Sequence, residues 1–142
     1  MFKIQEGRLY LFYIRFNDLD LYKVGITFSD RSTDRLMEVL RDIFNKYRFV
    51  PYSRILRDKK VYIPRIVERY MHIELDEYRY TFDKKFDGST EFFTGLDKEY
   101  LLDLYDNFDY IHLLRGITKL DDKNYNIIKS LVREDVDDNL PF

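Results

Sequence analysis

The chain has no cysteine and no tryptophan, and its 142 residues include only five glycines and three prolines. Without cysteine there can be no disulfide framework, no thiolate nucleophile and no cysteine-ligated zinc site. Any bound metal must be held by oxygen ligands or by the two histidines, His72 and His112. No apolar run is long enough to cross a membrane and no basic leader precedes an apolar segment, so we expect a cytoplasmic protein with no membrane partner.

The length suits one domain with its own core, because 45% of the residues are hydrophobic and a second core would need a longer chain. Tyrosine, phenylalanine, lysine, asparagine, isoleucine and aspartate are abundant, which is typical of an AT-rich coding genome such as that of many phages. For a phage-encoded protein, the expected location is the host cytoplasm.

The net charge of −2 hides an asymmetry between the two halves of the chain. Residues 1–72 carry 15 Lys and Arg against 9 Asp and Glu, whereas residues 73–142 carry 9 against 17. A basic half can neutralise phosphates and release their counterions, and an acidic half would face away from nucleic acid. The alternative is that these charges only solvate a very aromatic chain.

Two alternating apolar runs at residues 8–16 and 21–28 flank a polar loop at residues 17–20, which predicts a β-hairpin. Strand alternation places four positions on one face: Tyr10, Lys23, Gly25 and Thr27. A phosphodiester could approach the backbone at the glycine, beside a proton acceptor and a positive charge. The alternative is a half-buried tyrosine and a solvated lysine at a sheet edge.

A helix is predicted from a capping serine or aspartate within residues 29–32 to about Phe44, because apolar positions recur there at helical spacing. Arg35 lies near its N-terminus, where the helix dipole also favours an anion. Its planar guanidinium could therefore clamp a phosphate. Alternatively, Arg35 pairs with Asp34 or Glu38 on the solvated face.

Residues 49–56 predict a third strand and residues 57–60 a connector, after which Pro64 marks the start of a second helix. Glu68 and His72 stack one turn apart on the flank of this helix. A carboxylate there could hold one hard cation against a substrate phosphate. Alternatively, Glu68 pairs with Arg65 or with His72, which is then only a helix-edge residue.

Residues 81–90 predict a loop, in which Lys84 and Lys85 would contact a DNA backbone or simply be solvated. The phenylalanines of the following Glu-Phe-Phe, residues 91–93, are expected to anchor the core, with Glu91 facing the site. Three further elements are predicted beyond Gly95: helices at 97–108 and 121–133, and a short strand at 110–114. An acidic tail closes the chain.

The order of these motifs resembles the phage-type branch of the GIY-YIG endonuclease superfamily over about residues 7–96. Residues 7–10 match the first motif with one extra residue after the glycine. Residues 23–25 match the second motif, with the lysine of this branch in place of tyrosine. The remaining motifs follow in family order: Arg35-Leu36, Glu68, a histidine four residues later, and Glu91-Phe92-Phe93.

The pattern and the resemblance together predict an α+β fold, a small antiparallel three-stranded sheet flanked by helices in the order β-β-α-β-α. The nuclease-like domain is expected over residues 1–96. A C-terminal helical extension, residues 97–142, is expected to pack on the same domain. Nothing in the extension indicates a target, and it lies outside the resemblance.

The resemblance implies hydrolysis of DNA phosphodiester bonds with Mg²⁺ or Mn²⁺. Tyr10 beside Lys23 would remove a proton from the attacking water, Arg35 would stabilise phosphoryl charge, and Glu68 would hold the metal. The expected DNA contacts are Gly25, Thr27, Arg35, Lys84 and Lys85. The secondary candidates are Tyr22, His72 and Glu91, although alternation should point Tyr22 away from the site.

One position departs from the family pattern, because many members carry histidine or tyrosine four residues after the arginine and this chain has Val39. The alternative function is therefore a non-catalytic protein on the same fold. It would bind nucleic acid, or it would bind a host protein through the acidic extension.

Overall fold

The computed structural model of the protein describes residues 6–108. Within them, four antiparallel strands form one sheet in the order β3-β1-β2-β4, and three α-helices cover its two faces. The elements are β1 (Glu6–Phe16), β2 (Leu19–Thr27), α1 (Ser32–Tyr47), β3 (Tyr52–Tyr62), α2 (Pro64–Glu74), β4 (Phe92–Phe93) and α3 (Lys98–Asp106). Single 3₁₀ turns lie at Asp76–Tyr78 and Ser89–Glu91.

The predicted hairpin is confirmed, with a tighter turn than expected. Asn17 and Asp18 have φ values of 46° and 65°, the left-handed conformation that a two-residue hairpin turn requires. Tyr10 lies opposite Gly25 in the register between β1 and β2, and Phe12 lies opposite Lys23. Tyr10, Lys23 and Gly25 therefore share one face of the sheet, as the alternation predicted.

The predicted connector at residues 57–60 is wrong, because this segment continues β3 along the outer edge of β1. The run of charges concealed an edge strand in which Asp58 and Lys60 are exposed and Arg57 and Lys59 are half-buried. Cross-strand ion pairs support the pairing: Arg8 Nε lies 2.7 Å from Asp58, and Lys60 Nζ lies 2.8 Å from Glu6.

Helix α1 covers the sheet face that carries Tyr10 and Lys23. Its buried residues Val39 and Ile43 pack with residues of the hairpin and of the segment before β4. The helix continues to Tyr47, one turn beyond the predicted end. The predicted side-chain cap is also wrong, since Arg31 stands at the N-cap position and makes no capping hydrogen bond.

Helices α2 and α3 cover the opposite face. Helix α2 begins at Pro64 as predicted and buries Val67 and Met71 against the sheet. Helix α3 confirms the helix predicted after Gly95, and its Tyr105 hydroxyl donates a hydrogen bond to the carbonyl of Leu9 on β1. The elements predicted at 110–114 and 121–133 lie outside the described residues.

The predicted three-stranded sheet is wrong, because β4 adds a fourth strand. β4 has only two residues, too few to show any alternation. It pairs with Tyr22 and Lys23 of β2, and its Phe93 also forms an isolated antiparallel bridge with Arg79. Phe92 and Phe93 are both fully buried, as expected of core anchors. The short strand leaves residues 24–27 of β2 without a strand partner on that side, and α2 reaches this edge.

None of the helices within residues 6–108 is both long enough and apolar enough to cross a membrane.

Candidate active site

Lys23 is completely buried and lies at the centre of a polar cluster. Its ammonium Nζ donates a hydrogen bond of 2.8 Å to the hydroxyl of Tyr10, which is itself only 1% exposed. Nζ also lies 3.0 Å from Oε2 of Glu91. A buried lysine is tolerated when its charge is paired and hydrogen-bonded, so Glu91 supplies the partner that keeps the ammonium next to Tyr10.

The Tyr10 ring lies directly over Gly25 on the neighbouring strand. A Cβ at position 25 would overlap the hydroxyl and ring carbons of Tyr10, so no other residue fits without displacing the ring. Phe12 stacks on Tyr10 with ring centres 3.9 Å apart. Glycine is thus needed at position 25 because the tyrosine fills the space in front of it.

Arg35 extends from the first turns of α1 toward the same cluster. Its Nη1 donates to Glu38 at 2.8 Å, and its Nη2 lies 3.7 Å from Asp87. Burial lowers the pKa of this guanidinium. The contacts with Glu38 and the nearby Tyr10 hydroxyl raise it by more than burial lowers it, so the net pKa lies above its usual value. Arg35 therefore stays charged beside the Tyr10 hydroxyl.

The segment before β4, residues 81–91, closes this cluster and is called the covering loop here. Gly88 has a φ of +81°, and a Cβ there would lie 3.1 Å from Nη2 of Arg35 and 3.3 Å from Cε of Lys23. The loop gives one carboxylate to each cation, Asp87 to Arg35 and Glu91 to Lys23. Both cations are thus already paired with anions from one loop.

Glu68 reaches the site from α2, at the edge of β2 that β4 leaves open. Burial raises the pKa of its carboxyl to about 7, and repulsion from Glu91 adds to the rise. Lys23, Arg65 and a hydrogen bond with the backbone of Ile26 act in the opposite direction. Near neutral pH the carboxyl is therefore divided between its protonated and ionised forms.

His72, one turn further along α2, binds the same strand edge. Its Nε2 donates a 2.6 Å hydrogen bond to the carbonyl of Val24, and its ring lies 5.5 Å from that of Phe93. Burial lowers the pKa of the imidazole, which favours the neutral ring. His72 thus attaches α2 to β2, and in doing so it fixes the position of Glu68.

A pocket of about 510 Å³ opens beside α2 and includes Glu68 in its wall. The other lining residues are Arg69, His72, Ile73, Asp76 and Arg79. Glu68 is therefore accessible from this side even though Tyr10 and Lys23 are enclosed.

The remaining predicted residues lie outside this cluster. Thr27 accepts a hydrogen bond from the backbone of Ser29. Tyr22 packs on the opposite sheet face against Tyr13. Lys84 donates to the carbonyl of Lys46 at the end of α1, and Lys85 is exposed.

Sequence reasoning missed Asp87 and Gly88 as parts of the site. The only signal for them was the Asp-Gly pair, which marks a turn but does not indicate what the turn contacts. Glu91 was a secondary candidate, and the structure gives it a direct contact with Lys23.

The sequence profile of one family, described as the T5orf172 domain, matches residues 7–109. The chain belongs to the T5orf172 domain family. This is a phage-associated domain of the GIY-YIG-like/HNH-type nuclease class, which indicates a nuclease-like or nucleic-acid-binding role. No curated protein and no solved structure matches the chain.

The matched range of this T5orf172 domain contains both the polar cluster and the edge that carries Glu68. It also extends past α3, beyond the limit of about residue 96 suggested by the motifs.

Proposed function

We propose that this protein is a divalent-metal-dependent DNA endonuclease of the GIY-YIG type, which hydrolyses phosphodiester bonds. The observation that carries the proposal is the 2.8 Å contact between Tyr10 and Lys23 beside Arg35, inside a domain of a nuclease class. A phenol, an ammonium and a guanidinium in one cluster match the needs of phosphoryl transfer, which are a proton acceptor and positive charge around the phosphate.

In this proposal the Tyr10 oxygen acts as a phenolate and accepts the proton of the attacking water. The hydrogen bond from the Lys23 ammonium holds that oxygen in place and puts a positive charge beside it. The water oxygen forms the new bond to phosphorus, and the bond from phosphorus to the leaving sugar oxygen breaks. Arg35 stabilises charge on the phosphoryl oxygens through its planar group.

The covering loop determines how a phosphate reaches these groups. Asp87 and Glu91 place carboxylates against Arg35 and Lys23, at the positions where phosphoryl oxygens would bind. A phosphodiester therefore exchanges with these carboxylates when the loop moves outward. Gly88 carries no side chain, which lets the closed loop lie tightly against Arg35 and Lys23.

Glu68 is the residue that would hold Mg²⁺ or Mn²⁺. Within residues 6–108, no three His, Asp or Glu side chains converge as a metal site. Magnesium, however, is commonly held by one or two carboxylates, waters and substrate phosphates. A half-buried carboxylate that lines a pocket fits such a site. The ion, when bound, would neutralise charge on the leaving oxygen.

Lys84 and Lys85 remain proposed phosphate contacts on the covering loop. Both side chains are exposed to solvent, and the ammonium of Lys84 also binds a backbone carbonyl at the end of α1. Lys84 would therefore give up this hydrogen bond to bind a DNA backbone.

The second candidate function is a non-catalytic protein on the same fold, which binds nucleic acid or a host protein. The enclosure of Tyr10 and Lys23 favours it, as does Val39, which is fully buried where many family members carry histidine or tyrosine.

A plasmid-nicking assay with Mg²⁺, with Mn²⁺ and with EDTA tests the proposal. We expect nicking with either metal and none with EDTA. Glu68→Gln should abolish it but leave metal-free DNA binding almost intact, whereas the matched control Glu74→Gln, at an exposed glutamate of the same helix, should cut normally. An inactive parent that still binds DNA or a host protein would overturn the nuclease assignment in favour of the second candidate.

A further inference from the structure

An exposed aromatic ring lies close to Arg65, which precedes the candidate metal carboxylate Glu68 by three residues on α2. Phe28 directly follows β2, the strand that carries Lys23 and Gly25, and its side chain is 47% exposed. We infer that Phe28 and Arg65 form a stacking site for an unpaired nucleobase beside the cleaved phosphate. This inference rests on the proposed function and deepens it by naming a substrate class: DNA with an unstacked base next to the cleavage point.

The ring is held in place although it is exposed. Its Cδ1 lies 3.2 Å from the position that a Cβ on Gly7 would occupy, so the missing side chain lets the ring lie against β1. The guanidinium carbon of Arg65 lies 5.6 Å from the ring centre. A ring fixed from two directions is already ordered, and less conformational entropy is lost when a ligand stacks on it.

Arg65 connects this ring to the candidate site. It lies three residues before Glu68 on α2, and its charge is one of those that lower the pKa of the Glu68 carboxyl. Phe28, Arg65 and Glu68 therefore follow one another along one side of the molecule. A base stacked on Phe28 would place its own phosphate near Glu68.

The charge of Arg65 is also available to a ligand. Lys23 and Arg35 are paired with carboxylates, whereas Arg65 makes no ion pair with an acid within the described part of the chain. An arginine that stacks on an aromatic ring can still bind a phosphate through its edge.

The combination of an aromatic face and a cation is suited to nucleobases. Every base has a π face, so stacking binds single-stranded DNA with little regard to sequence, and arginine contributes to the same platform. Bases inside an intact duplex are already stacked on their neighbours. The site therefore selects single-stranded, branched or distorted DNA over regular duplex.

Phe44 provides a matched comparison within the same protein. Its side chain is 42% exposed on α1, and within residues 6–108 it has no contact with another ring or with a cation. Exposure alone therefore does not single out Phe28, whereas its contacts with Gly7 and Arg65 do.

The test measures DNA binding in EDTA, so that it does not depend on cleavage. Fluorescence anisotropy would compare a short single strand with the duplex of the same sequence for the parent, Phe28→Leu, Phe28→Trp and Phe44→Leu. We expect Phe28→Leu to weaken single-strand binding about tenfold and to leave duplex binding nearly unchanged. Phe28→Trp should bind like the parent, because it keeps an aromatic face, and so should Phe44→Leu.

An equal loss on single strand and duplex, or no loss on either, would overturn the stacking site. The melting temperature of each variant checks that it is folded, and Arg65→Lys adds a second test. This variant keeps the charge but not the planar stack, so it should lose single-strand affinity with an unchanged salt dependence. If the parent nicks plasmid but Phe28→Leu binds single-stranded DNA normally, only this inference is wrong. If the parent binds no DNA, the proposed function is wrong as well.

Discussion

Lys23 and Glu91 lie 68 residues apart in the chain and form an ion pair of 3.0 Å around a lysine that has no exposed surface. The pair connects β2 to the covering loop and keeps the ammonium against Tyr10. It therefore holds the fold together and also keeps the candidate site closed. Opening the site to a phosphate requires this ion pair to separate.

The first prediction concerns the stability of this ion pair. Glu91→Gln leaves the buried ammonium without its counter-charge, so the free energy of unfolding should fall by about 2 kcal/mol, somewhat less than the full effect of breaking a wholly buried pair. Urea unfolding monitored by circular dichroism would measure it. Glu77→Gln, at an exposed glutamate, is the control and should change stability by less than about 0.5 kcal/mol. A loss no larger than that of the control would mean that the pair contributes little.

The second prediction concerns the Tyr10–Gly25 contact. Gly25→Ala forces the tyrosine ring aside, so we expect a loss of about 2 kcal/mol of stability and of any nicking activity. In a Tyr10→Ala background the same change should be almost neutral, because the added methyl group enters space that the ring has left. Thermal unfolding of the four proteins in this cycle provides the measurement. Additive effects would show that the two positions do not compete for the same space.

The third prediction concerns the covering loop. Asp87→Asn removes the carboxylate near Nη2 of Arg35, so DNA affinity at low salt should rise several-fold. Asp30→Asn, at another exposed aspartate, makes the same change in charge and should raise it less. Amine labelling read by mass spectrometry gives a readout independent of DNA. Without the Asp87 carboxylate the covering loop should move outward more readily, so the enclosed Lys23 should react faster with the labelling reagent. If both variants changed affinity and labelling equally, Asp87 would act only through its contribution to the overall charge and not by closing the site.

The fourth prediction follows from the raised pKa of Glu68. The folded protein holds this proton up to about pH 7, whereas the unfolded chain releases it near 4.5. Stability is therefore lost as the pH rises from 4.5 to 7, because the folded state binds more protons in that range. Glu68→Gln should be more stable than the parent by about 1 kcal/mol at pH 8 and should match it at pH 4, after allowance for partial solvent screening.

Thermal unfolding at the two pH values checks this prediction, and Mg²⁺ extends it. An ion bound by the ionised carboxylate should raise the Tm of the parent at pH 8 and have no effect on Glu68→Gln. A variant less stable than the parent at pH 8 would show that the Glu68 carboxylate stabilises the fold.

The sequence by itself determined the local elements whose signals lie within a few residues. Strand alternation around Asn17 and Asp18 placed Tyr10, Lys23 and Gly25 on one face, since a hairpin register follows from its own turn and pattern. Pro64 indicated the start of α2 for a similar reason: its ring presets the first helical turn.

Only the tertiary structure decided what lies against these elements. β4 is too short to have a pattern of its own, and it becomes a strand because β2 offers it hydrogen-bond partners. The charged part of β3 becomes a strand because β1 provides backbone hydrogen-bond partners and, for Asp58 and Lys60, cross-strand ion pairs. The contacts of Glu91 and Asp87 with two distant cations, and of Arg65 with Phe28, depend on how the covering loop and α2 pack. Such packing depends on the whole folded chain, so no short stretch of sequence determines it.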